Sequence, residues 1–66
     1  MDVVINGRPH RAASSLSLAE AVALLTDAQT GVAAAVNGDV VPRGSWTATP
    51  LRDGDQVEVV TAVQGG

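Results

Sequence analysis

Few residues in this chain could take part in chemistry. His10 is the single histidine, Asp53 and Asp55 stand two apart, Ser14, Ser15 and Ser17 cluster, and the last two residues are Gly65 and Gly66. Cysteine is absent, which removes a disulfide framework, a thiolate metal site and a thiol nucleophile together. His10 has no cysteine or acid at ligand spacing and reads as a solvated strand residue. Asp53 and Asp55 flank Gly54, a composition typical of a turn whose carboxylates bond the backbone. The three serines have no triad partners and suit a loop and a helix cap.

Gly65-Gly66 is the remaining candidate. Glycine lacks Cβ, so such a pair can thread a narrow channel and take backbone angles closed to other residues. Residues 62 to 66, drawn out fully, would span about 17 Å. A terminal carboxylate has a pKa of about 3.5, so near neutrality it is an anion and a poor electrophile until something activates it. The plain alternative is a frayed terminus. On either reading the chain divides into a body, residues 1–61, and a flexible tail, 62–66.

The body must be economical. With 66 residues there is room for one domain with a thin core. A total stability of roughly 3 to 10 kcal/mol leaves few apolar side chains to spare from packing. The net charge is −3, lysine is absent, and Arg8, Arg11, Arg43 and Arg52 are scattered. Without a basic stripe, and with Trp46 the lone aromatic, the chain is not expected to bind nucleic acid. The opening "MDVVINGRPH" has an acid at position 2 and breaks its apolar run at Asn6-Gly7. It reads as neither a signal peptide nor a membrane span, so a cytoplasmic protein with no membrane partner is expected.

The elements follow from pattern. "VVI" at 3 to 5 is β-branched, and Asn6-Gly7 is the dipeptide favoured in a two-residue hairpin, so strands are predicted at 2 to 6 and 8 to 13. Pro9 cannot donate to a ladder, which places the second strand at a sheet edge or Pro9 near the strand's start. Ser17 and Glu20 form a capping box opening a helix at Leu18, with Leu18, Ala21, Val22 and Leu25 on one face and Gly31 placed to end the segment. "VAAAV" at 32 to 36 lacks alternation, as in a strand buried on both faces or nearly so, and "NGD" turns the chain into "VV" at 40 and 41. Residues 42 to 52 hold two prolines and a glycine and read as an irregular connection with one helical turn. After the 53 to 55 turn, "QVEVVTAV" points Val57 and Val59 inward and Glu58 outward. The order β-β-α-β-β-β gives a two-layer α+β domain, one helix covering one sheet face.

The stretches "INGRP", "VNGDVVPRGSW" and "LRDGDQVEVVTAVQGG", in this order and over the whole chain, resemble the ubiquitin-like β-grasp family, and more narrowly the sulfur carriers of bacterial thiamine biosynthesis. The resemblance implies a mixed five-stranded sheet whose first and last strands run parallel at its centre. It also implies a tail projecting from the last strand, in which Val63, Gln64 and Gly65 thread into partner active sites. An ubiquitin-activating-type enzyme would use ATP to adenylate the Gly66 carboxylate. A persulfide donor would convert it to a thiocarboxylate, and thiazole synthase would take that sulfur into the thiazole ring of thiamine. The chain would then be a cosubstrate rather than an enzyme, with no permanently bound cofactor or metal, and a monomer when free.

Two alternatives remain beside this: the small subunit of molybdopterin synthase, which shares the thiocarboxylate chemistry, and a noncatalytic regulatory β-grasp binding module. Docking on partners is expected through the exposed sheet face and last strand, with Arg43, Trp46 and Glu58 as candidate contacts. Trp46 suits either a core position or an interface anchor, and Arg43 either a partner's acidic patch or solvent.

Overall fold

The computed structural model describes residues 1–12, 15–27 and 30–61. Strands β1 (Asp2–Ile5) and β2 (Arg8–Arg11) form a hairpin, as do β3 (Val32–Val36) and β4 (Asp39–Val41). Both hairpins turn through Asn-Gly, with Asn6 and Asn37 at φ 51° and Gly7 and Gly38 at 81° and 89°. Left-handed angles at both central residues match the right-handed twist of the flanking strands, which is why this dipeptide occurs twice. Pro9 lies opposite Val4 on β2, an edge strand. Met1 and Ala12 exchange both backbone bonds at 2.8 Å. Alternation along the ladder then makes Val4–Pro9 a pair without hydrogen bonds, where proline's missing N–H costs nothing.

The last strand, β5 (Gln56–Thr61), lies at the centre of a sheet ordered β2-β1-β5-β3-β4, parallel to β1 and antiparallel to β3. This is the mixed five-stranded β-grasp arrangement that the resemblance implied. Helix α1 (Leu18–Ala23) crosses one face. Ser17 Oγ accepts from the Glu20 N–H at 3.1 Å while Glu20 Oε1 accepts from the Ser17 N–H at 2.8 Å, the predicted capping box. The other orphan donors of the first turn are met by the connection that passes beneath it. Leu18 N–H donates to Thr49 O at 2.8 Å and Ala19 N–H to Trp46 O at 3.2 Å.

The core is one cluster. Val3 and Ile5 of β1, Val57 and Val59 of β5, Leu18, Ala21 and Val22 of α1, Ala34, Trp46 and Leu51 are all buried. The connection at 42 to 52 is irregular with one 3-10 turn, Arg43–Ser45, as its composition suggested.

Three expectations need correction. The helix stops after Ala23; the Leu24 N–H is shared between Glu20 O and Ala21 O and Leu25 N–H bonds Val22 O, a tightened last turn. Leu25, assigned to the apolar face, is 43% exposed and lies past the end of the helix, outside the core cluster. Gly31 does hold a left-handed φ of 72°, but it leads into β3 instead of capping the helix. Second, β3 is not buried on both faces: Ala34 faces the core and Ala33 is exposed, since one helix can cover only one side of the sheet. Third, the strands of the first hairpin are shorter than drawn from the sequence, β1 ending at Ile5 and β2 at Arg11, while β5 reaches Thr61 and the rest of its expected span, residues 62 and 63, lies outside the described residues.

Candidate functional site

The candidate reactive end, Gly66, and the tail residues Val63, Gln64 and Gly65 lie outside the described residues, and one described element leads to them in sequence. That is β5. From Val57 onward it pairs with β3, from Val36–Val57 to Val32–Thr61. On the other edge β1 pairs only at Val4–Gln56 and Ile5–Val57 before the chain turns away at Asn6. The turn residue continues the grip: Asn6 N–H donates to Val57 O at 2.9 Å, its carboxamide nitrogen donates to Val59 O at 3.1 Å, and its carboxamide oxygen accepts from Val59 N–H at 2.8 Å.

The other end of β5 is fixed in the same manner. Asn37 N–H donates to Gln56 O at 2.7 Å, and its carboxamide joins the Gln56 N–H at 3.0 Å and Asp55 Oδ1 at 3.1 Å. Asp55 Oδ2 accepts from Arg52 N–H at 2.8 Å, and Asp53 Oδ1 accepts from Asp2 N–H at 2.6 Å. The two aspartates are therefore turn and strand-end acceptors, as their flanking of Gly54 suggested.

The sheet has a bare face. Val40 and Val60 are 75% and 63% exposed and, with Ala33, Ala35 and Glu58, line a shallow groove of about 280 Å³. Large exposed apolar side chains beside small ones on a flat sheet make a surface suited to contact with another macromolecule. The sequence reading missed Val40 and Val60. The alternation that puts Glu58 outward also puts Val60 outward, and that signal was available.

Arg43, Trp46 and Glu58 do not share a surface. Glu58 stands on the bare face, whereas Arg43 and Trp46 line a groove on the helix side with Ala19, Val22 and Asp27. Trp46 is only 5% exposed, and its indole N–H donates to Val41 O at 2.8 Å. Of the two readings of this residue, the core position is the one observed. The Arg43 guanidinium lies 5.1 Å from the ring centroid, a cation–π contact that holds the arginine against its own protein. His10 is half-buried on the strand face it shares with Val3. Ser17 is the helix cap, and Ser14 lies outside the described residues. No group of three or more histidine or acidic side chains among the described residues could hold a metal, and no described helix is long and apolar enough to cross a membrane.

Against known proteins, the ThiS family model matches residues 3–66. The sulfur carrier protein ThiS of Escherichia coli K12 is 30% identical over 66 residues, all of both chains. A thiazole synthase of Magnetococcus marinus is 38% identical over 66 residues, all of this chain but 20% of that protein's length. The crystal structure of the thiamine biosynthesis protein ThiS of Geobacter metallireducens superposes with a TM-score of 0.78 at 36% identity, covering both chains completely. The solution structure of a thiamine biosynthesis protein from the same organism gives 0.80 at 36% identity, covering all of this chain and 88% of that one.

Proposed function

Because the chain belongs to the ThiS family, we propose that it is a sulfur carrier of thiamine biosynthesis whose working atom is the carbonyl carbon of Gly66. One observation carries this: the family match runs from residue 3 through Gly66, the terminal glycine pair included. Nothing in the described body competes for the role. Asp53, Asp55 and Glu20 bond the backbone, Ser17 is a cap, and the buried interior is apolar.

The chemistry follows from the carboxylate. As an anion it resists nucleophiles, so an ubiquitin-activating-type enzyme must first join it to the α-phosphorus of ATP, releasing pyrophosphate. The acyl-adenylate has a good leaving group. The terminal sulfur of a persulfide attacks the carbonyl carbon and AMP departs; a thiol then cleaves the resulting disulfide and leaves a thiocarboxylate on Gly66. The sulfur is now nucleophilic, and thiazole synthase consumes it. The resemblance of this chain to one fifth of a thiazole synthase supports that partner, since there carrier-like and synthase sequences share one polypeptide. The body is inert scaffold and docking surface, with the bare sheet face and Glu58 as the contact region and Arg43 as a peripheral contact.

Intact mass measurement on protein from thiamine-starved cells tests the assignment. The expected result is a gain equal to exchange of one oxygen for sulfur, mapped to Gly66 and lost on adding thiazole synthase with its substrates. Protein that stays at its unmodified mass under starvation, with sulfur transfer to thiamine proceeding, would overturn it.

A further inference from the structure

We infer that Asn6 is a positioning residue for the transfer chemistry: its carboxamide takes the place of a missing strand and holds β5 at Val59, where the chain sets out toward Gly66. This rests on the sulfur-carrier reading.

The turn alone does not call for asparagine. A left-handed φ of 51° at this position is open to Gly, Asp and Asn alike. Only asparagine adds one donor and one acceptor, the same pair a peptide group offers to a neighbouring strand. At Asn6 both are spent on one residue, Val59, through the 3.1 Å and 2.8 Å bonds to its carbonyl and amide. The parallel ladder with β1 ends at Ile5–Val57, so without this side chain the β1-facing edge of Val59 loses its described partners. β3 would still hold the other edge.

A strand gripped on one edge frays more readily than one gripped on two. Fraying back from Thr61 to Val59 lengthens the tether between packed sheet and Gly66, and the effective concentration of a tethered group at a fixed reaction centre falls with tether length and with loss of direction. The surface that docks is unchanged. The consequence is a loss in turnover, not in affinity.

Asn37 supplies a built-in control, since it has the same φ and its carboxamide also accepts from a β5 backbone N–H, but at the start of the strand, while its nitrogen donates to the Asp55 carboxylate. The test compares N6G with N37G, both of which keep glycine where the turn needs it. Amide exchange is followed by NMR, and adenylation by ATP–pyrophosphate exchange with the activating enzyme. For N6G the Val59 amide should exchange at least about tenfold faster relative to core amides, kcat should fall about fivefold, and KM should stay within about twofold. N37G should lose comparable thermal stability while leaving Val59 exchange and kcat within about twofold of native. N6D, which keeps the acceptor and loses the donor, should fall between native and N6G.

Equal loss of kcat in N6G and N37G, or unchanged kcat in N6G, would overturn the inference, as would Val59 exchange that merely follows the core. A native chain that is not adenylated at all would instead sink the sulfur-carrier reading and the positioning role with it, while the exchange data still decide whether the clamp exists.

Discussion

The two faces of the sheet are made from nearly the same residues and do opposite things. Toward α1, Val3, Ile5, Ala34, Val57 and Val59 are buried in one cluster. Away from it, Ala33, Val40 and Val60 are equally apolar and stand in solvent. The side chains differ little, so the contrast comes from coverage: among the described residues one α-helix packs on the sheet, and it lies on one face. Valine on the covered face stabilises the fold, and valine on the bare face is free for partners. The first should resist substitution thermodynamically and the second functionally.

Truncation on the covered face should have the largest effect. Ile5 is 1% exposed and Leu18 is fully buried. I5A or L18A should each cost about 2 to 5 kcal/mol, enough to unfold much of a domain of this size, read by urea denaturation. Trp46 belongs to the same face. W46F keeps most of the ring but strands the Val41 carbonyl, a loss of about 1 to 3 kcal/mol, and a substitution that proved neutral would show that water reaches that carbonyl.

The cap comes next. S17A removes the acceptor for the Glu20 N–H and should lower stability by about 1 kcal/mol in the same assay. On the bare face V40S and V60S should change stability by no more than about 0.5 kcal/mol, yet slow adenylation by raising KM. If both lost stability as I5A does, the comparison of faces would fail. The smallest effect belongs to the Arg11–Asp2 pair, 3.2 Å apart with side chains 85% and 57% exposed. A double-mutant cycle there should give a coupling near zero, insensitive to salt.

Most of the fold could be read from local patterns with local causes. The two Asn-Gly turns, the Ser17–Glu20 box and the outward Glu58 each declare themselves within four residues, and all occur as expected. What failed depended on distant neighbours. "VAAAV" reads alike whether one face or two are covered, and Leu25 keeps helical spacing whether or not anything packs above it. Trp46 could be assigned only when its indole N–H was seen to meet Val41 O. The proposed reactive end carries a signal of another kind: two successive terminal glycines, Gly65 and Gly66, are visible in the sequence without any tertiary context. The role of Asn6 was hidden because the turn accounts for asparagine so well that its side chain invited no second question.

In the proposed carrier a side-chain-free end delivers its last carbonyl carbon while the body performs no chemistry of its own. The most direct measurement is ATP–pyrophosphate exchange, catalysed by the activating enzyme, on a chain carrying one alanine after Gly66, with intact mass confirming that the alanine is still attached. The proposal expects exchange to fall to background while the denaturation curve is unchanged. Exchange at the native rate on the intact extended chain would contradict it.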